Sequence, residues 1–148
     1  MIVYAESSAV LCWLLGESRA SEVARILGGA DRVVASVVTG IECARAVVRG
    51  ATVGAITRVQ ARALIQSYRD VEVGWDRVEL HDRVMDRAGA PFPVEPIRTL
   101  DAIHVASAAI AHEAFGPVTM LSFDERVRAN AAALGLPVLP VEAGSISS

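Results

Sequence analysis

Short, almost uninterrupted apolar runs separated by helix-length segments constrain the fold more than any other feature. Residues 2–5, 32–35, 71–73, 118–121 and 138–141 read as strands, all but V-E-V at 71–73 without polar alternation. A strand apolar on both sides must be covered on both sides, which argues for a parallel sheet between two helical layers. The segments between them carry helical patterning over residues 8–15, 19–27, 53–68, 77–87, 100–114 and 125–134. A further helix opens at Ser36 or Thr39 and runs through Val48, and Gly28–Gly29 and Gly50 supply stops. Residues 89–96, with three prolines, form the one substantial loop. The expected class is α/β, three-layered, with about five parallel strands and helices on both faces.

With 148 residues, 53% of them hydrophobic, the chain fits a single domain over 1–148, its core about 1–142 with a short C-terminal tail. No apolar stretch approaches the roughly 20 residues of a membrane helix. The best candidate, residues 9–15, is short and has no basic segment before it, so a cytoplasmic protein with no membrane association is expected. Cys12 and Cys43 stand far apart in apolar helical text, as small core residues rather than a disulfide or zinc pair.

The net charge is −3 and all 14 basic residues are arginine. Without lysine, a P-loop ATPase, a pyridoxal enzyme and a protein kinase are excluded, because each places a lysine at its chemistry. The arginine bias suits phosphate geometry, but a GC-rich genome produces the same bias.

Carboxylates then mark the site. Ligands of open parallel sheets bind beyond the carboxyl ends of strands, where strand order reverses. Glu6 follows the first strand in I-V-Y-A-E-S-S, and Asp124 follows the fourth in V-T-M-L-S-F-D. Asp101 and Glu42 interrupt apolar helical text, in T-L-D-A-I-H-V-A and T-G-I-E-C-A-R-A. Singly each has an ordinary explanation: Asp124 as an N-cap, Asp101 as a first-turn acid, Glu42 paired with Arg45 or Arg49. Gathered together, four acids would repel one another unless a cation lay between them. An all-oxygen set suits Mg²⁺ or Mn²⁺ rather than zinc, and phosphoryl-transfer chemistry follows from such a site.

In the order and context of these acids, the chain resembles a PIN domain and, within that group, the VapC-type toxins of bacterial toxin–antitoxin pairs. Glu6 ends the first strand before Ser7-Ser8, Glu42 lies in the third helix, and Asp101 follows Arg98 by three residues. Asp124 precedes an Ala-rich helix and a Leu-Gly-Leu turn. The resemblance implies an Mg²⁺- or Mn²⁺-dependent endoribonuclease acting on cellular RNA. It implies Glu6, Glu42, Asp101 and Asp124 as catalytic, metal-holding acids, a homodimer, and a neutralising antitoxin. One position departs from the family: Asp is usual where this chain has Glu6. The alternative reading is therefore a PIN-like module that binds RNA or a partner without efficient cleavage.

Around the acids, Ser7, Ser8 and Ser122 either hydrogen-bond a metal-site carboxylate or cap a helix, and Arg98 either holds Asp101, meets a phosphate or lies on the surface. His104, one turn after Asp101, is read as structural; His81 and His112 as surface residues; Trp13 and Trp75 as core or interface. Arg45, Arg49, Arg58, Arg62 and Arg69 suit an RNA path or a solvated helix face equally. The apolar text of residues 10–15 and 56–68 fits either core or a groove for an antitoxin segment. A receiver domain lacks its lysine here, and a haloacid-dehalogenase-type phosphatase would need D-x-D after the first strand, where this chain has E-S-S.

Overall fold

A computed structural model describes residues 1–142. Its strands are β1 (Ile2–Ala5), β2 (Arg32–Ser36), β3 (Asp76–Val78), β4 (Val118–Leu121) and β5 (Val138–Leu139). They form one parallel sheet in the order β3-β2-β1-β4-β5. The helices are α1 (Ser7–Leu14), α2 (Ala20–Gly29), α3 (Val37–Thr52), α4 (Arg58–Glu72), α5 (Asp82–Gly89), α6 (Thr99–Phe115) and α7 (Glu125–Ala133). The expected α/β class, with a parallel five-stranded sheet covered on both faces, is the observed one.

Side chains alternate across the sheet, and the two faces bury different sets. Tyr4, Val34 and Met120 join Val84, Val105, Ala106, Ala108 and Val127, packing α5, α6 and α7 against one face. Val3, Ala5, Val33 and Leu121 point the other way, towards Val10, Cys12, Val23, Cys43 and Val47 of α1, α2 and α3. Small residues on α6 (Ala102, Ala106, Ala108, Ala111) are all buried, so this helix seats close to the sheet. Both cysteines are free and buried, as small core residues should be. Trp13 and Trp75 are partly buried against the α1–α4 side of the core.

Local chemistry sets the helix ends. Ser36 caps α3 by accepting from the Val38 N–H at 3.3 Å, and Thr57 with Gln60 forms a reciprocal capping box at the start of α4. Gly116 (φ 91°) and Gly135 (φ 85°) occupy left-handed conformations after α6 and α7, where a side chain would be strained.

Between residues 53 and 89 the structure corrects the expectation. Residues 71–73 are not a strand: α4 runs on to Glu72, and the third strand is Asp76–Val78. The expected helix over 77–87 is β3 followed by α5, and α4 starts at Arg58 rather than at Val53. Val71 and Val73 carry β-branched propensity, but the capped helix runs through Val71 and ends with Val73 as its C-cap. Val73 is 86% exposed, so no sheet burial rewards an extended backbone there. Among the described residues, no helix is long and apolar enough to cross a membrane.

Candidate active site at the carboxyl end of the sheet

Strand order reverses at β1, which has β2 on one side and β4 on the other. Ala5 is in register with Leu121, and the Glu6 N–H extends the ladder by donating to Leu121 O at 3.1 Å. Glu6 and Ser122 thus emerge side by side at the switch point, where open parallel sheets place their ligands.

Glu6 is only 3% exposed. Its backbone is extended and its side chain caps α1, accepting from the Ser8 N–H at 3.1 Å. The same oxygen, Oε2, also accepts from the Ser8 hydroxyl and from Ser122 Oγ at 2.7 Å. All three bonds fall on Oε2; Oε1 faces His104 Nε2 at 3.9 Å. Ser8 Oγ in turn accepts from the Phe123 N–H at 2.8 Å, and Ser122 Oγ accepts from the Asp124 N–H at 3.0 Å. The two serines therefore tie the end of β1 to the loop after β4 through one carboxylate. Glu6 therefore caps a helix and stands beside the other acids at once.

Asp124 caps α7, accepting from the Val127 N–H at 2.9 Å. Asp101 sits in the first turn of α6, partly buried, and its carboxyl is held above the usual Asp range. Burial is the first cause, followed by the negative charges of Asp124 and Glu6, with a smaller push from Glu42; His104 acts in the opposite sense. Acids from β1–α1, α3, α6 and β4–α7 are thus within electrostatic reach of one another. Arg98 offers Asp101 no ion pair among the described residues; it is exposed at the cap of α6.

Glu42 does not pair with Arg45 or Arg49. It points inward instead, its side chain 26% exposed, accepting from Ser7 Oγ at 2.7 Å and lying 2.5 Å from His104 Nε2. Burial alone would raise its pKa, but the hydrogen bonds from His104 and Ser7 outweigh that and hold it below the usual Glu range. Helical spacing made the arginine pairs plausible; tertiary contact with α1 and α6 decides the matter.

Two further residues support the site and a third, His112, lies at the opposite end of the sheet, and sequence reasoning did not single out the role of any of them. Asn130, fully buried, accepts from the Val94 N–H at 2.9 Å and donates to Val94 O at 2.9 Å, fixing the proline-rich loop that delivers Arg98 and Asp101. Arg128 donates to Ser122 O at 2.7 Å and to Pro140 O at 2.8 Å, clasping the ends of β4 and β5. His112, expected at the surface, is partly buried and accepts from the Val118 N–H at 3.1 Å, fixing the entry to β4. His81 is exposed at the cap of α5.

Beside the acids lies a cleft of about 630 Å³ lined by Ile97, Arg98, Asp101, Phe123, Asp124 and Arg126. It places two cationic side chains and one aromatic ring next to three carboxylates, those of Asp101, Asp124 and Glu125. Chemically, the four acids are hard oxygen donors, and the charges of Asp124 and Glu6, which add to burial in raising the Asp101 pKa, are what a divalent cation would relieve. Geometrically, no three His, Cys, Asp or Glu side chains among the described residues already converge to hold an ion. The donor set fits Mg²⁺ or Mn²⁺, and side chains would have to turn inward to close around it.

The comparisons with known proteins agree with this architecture. Residues 3–134 match the model of the PIN domain, and the chain belongs to that family. A solved structure, PAE2754 from Pyrobaculum aerophilum, superposes with a TM-score of 0.58 over 93% of this chain and 82% of its own length. At 15% identity that likeness shows a shared fold. No curated protein matches the sequence. The PIN domain is generally a nuclease fold, and its members commonly use a divalent metal.

Proposed function

We propose that this chain is a metal-dependent endoribonuclease, the toxin of a VapBC-type toxin–antitoxin pair. The observation that carries the reading is the gathering of Glu6, Glu42, Asp101 and Asp124 from four separate elements at the switch point of a PIN sheet. These four would hold Mg²⁺ or Mn²⁺. Such an ion supplies phosphate polarisation and a more acidic water. The chain's own residues do the rest. Ser8 and Ser122 orient Glu6, Ser7 orients Glu42, and the cleft beside Asp101 and Asp124 seats the polyanion with Arg98 and Arg126 against its phosphates. Arg45, Arg49, Arg58, Arg62 and Arg69 are all exposed and make no ion pair among the described residues, which suits an RNA path along α3 and α4. The setting is cytoplasmic and the assembly a homodimer.

The partner would be an antitoxin segment. An apolar groove of about 620 Å³ between α3, α4 and β3, lined by Leu14, Cys43, Val47, Ile65, Tyr68 and Trp75, supports such a contact. Ile41 and Val73, 60% and 86% exposed, stand at its rim. A second reading, a PIN-like binding module with weak or no cleavage, draws on the tethering of Glu6 Oε2 by three hydrogen bonds. One experiment separates the two. Purified, antitoxin-free protein is incubated with total RNA and tRNA under Mg²⁺, Mn²⁺ or EDTA, with Asp101→Asn as the control for contaminating nuclease. Metal-dependent cleavage lost in the variant supports the ribonuclease; absence of cleavage under every metal supports the binding module.

A further inference from the structure

The contacts around His104 are over-determined in a way that fixes its protonation geometry. The residue is fully buried. Its Nε2 meets Glu42 Oε1 at 2.5 Å and Ser7 Oγ at 2.9 Å, and its Nδ1 meets the Tyr4 hydroxyl at 2.9 Å. Ser7 has a single hydroxyl proton, and it goes to Glu42 Oε1 at 2.7 Å. Both neighbours of Nε2 therefore present lone pairs. A bare Nε2 would set lone pair against carboxylate, so Nε2 carries the proton. Nδ1 is then free to accept from Tyr4.

We infer that His104 is a positioning residue for Glu42: Tyr4 holds its Nδ1, and its Nε2–H, with the Ser7 hydroxyl, pins Glu42 Oε1 so that Oε2 is the oxygen presented to the other acids. This rests on the reading of Glu42 as a metal-site acid. A metal-site carboxylate needs a fixed direction, and outer hydrogen bonds of this kind typically change metal affinity by about 10–100-fold. From α6, one helical turn after Asp101, His104 reaches both Tyr4 of β1 and Glu42 of α3.

The test has two arms. In metal-free protein labelled with ¹⁵N-histidine, long-range proton–nitrogen correlation reads the tautomer directly. The expected result is a proton on Nε2, an acceptor Nδ1, and an Nε2 proton resonance that shifts in Glu42→Gln. A proton on Nδ1 with a bare Nε2 overturns the inference, whatever the protein does with metal. In the second arm, Mn²⁺ affinity is measured by electron paramagnetic resonance for wild type, His104→Gln and His104→Asn, with thermal melts to confirm folding. Gln places its amide N–H near the Nε2 position and keeps the bond to Glu42; Asn reaches only towards Tyr4. Affinity should fall about 10-fold or more in His104→Asn and be largely restored in His104→Gln. Equal affinity in the two folded variants overturns the positioning role. Should either fail to fold, Tyr4→Phe serves: it removes the anchor of Nδ1, so the proton should stay on Nε2 while Mn²⁺ binding weakens, and an unchanged affinity counts against the inference. Wild-type protein that binds no Mn²⁺ refutes the metal reading of the site, and the tautomer measurement still decides the arrangement of His104.

Discussion

Replacing Glu6 by Asp restores the residue usual in the family, yet the structure predicts a loss. The substitution shortens the arm by one carbon–carbon bond, about 1.5 Å. Ser122 Oγ, now 2.7 Å from Oε2, then falls outside hydrogen-bonding range. Asp is a good N-cap, so the bond from the Ser8 N–H survives. One hydrogen bond to a charged acceptor is worth about 1.5–3 kcal/mol, and a methylene removed from a residue 3% exposed costs about 0.5–1.5 kcal/mol more. The sum, about 2–4 kcal/mol, corresponds to a fall in Tm of roughly 5–15 °C for a chain of this size. Urea denaturation of metal-free protein measures it. Ser122→Ala supplies the second side of a double-mutant cycle, since its hydroxyl serves both Glu6 and the Asp124 N–H. In the Glu6→Asp background the bond to Glu6 is already gone, so the two losses should fall short of additivity by about 1.5–3 kcal/mol. Additivity within about 0.5 kcal/mol, or a Glu6→Asp protein as stable as wild type, would refute the reasoning. Metal-dependent RNA cleavage should fall alongside stability. A large gain instead would mean that the natural site is impaired by its longer arm.

Carboxyl titration followed by ¹³C resonance should find Asp101 above its ordinary value of 3.8, and Asp124→Asn should bring it down, because Asp124 is the first of the charges raising it. The sign for stability follows: the folded state holds this proton to higher pH than the unfolded chain, so Asp101 subtracts stability as pH rises from its ordinary value through its folded one. Glu42 has the opposite sign. Its pKa is depressed from 4.5, so its contribution is complete above that value and is lost as pH falls through the folded pKa. Asn130→Leu should cost about 2–4 kcal/mol by leaving the Val94 N–H and C=O unpaired, and faster amide exchange at Val94 in the variant should report the loosened loop. Charge reversal at Arg58 and Arg62 should weaken RNA binding and flatten its salt dependence, by roughly 0.7 in logarithmic slope per lost phosphate contact; unchanged binding and slope would remove α4 from the RNA path.

What could be read from the chain, and what could not, divides along a physical line. Strands buried on both faces, such as Ile2–Ala5, announce themselves, because burial demands a short apolar run. The edge strand Asp76–Val78 has no such requirement: it lies at the border of the sheet, pairs only with β2, and reads D-R-V. The nearby V-E-V at 71–73, with its two β-branched residues, therefore looked more like a strand than the strand did. The site divides in the same way. Glu6 and Asp124 follow strands directly, so topology alone aims them at one crevice, whereas Glu42 and Asp101 were conspicuous as acids in apolar helical text. The groups that orient them were not. Ser7, Tyr4 and His104 are separated by up to 100 residues, and their hydrogen bonds exist only after α1, α3 and α6 have packed on the sheet. A lone histidine on an apolar helix gives no sign of which atoms it will meet. Its burial next to an alanine face does carry a constraint, since a fully buried imidazole must find partners for both nitrogens. Here one partner is a strand phenol on the core side and the other is the acid in question. Reading such residues from sequence therefore means asking where a buried polar side chain can discharge its hydrogen bonds. In an α/β chain of this kind, the carboxyl end of the sheet is where uncommitted acceptors collect.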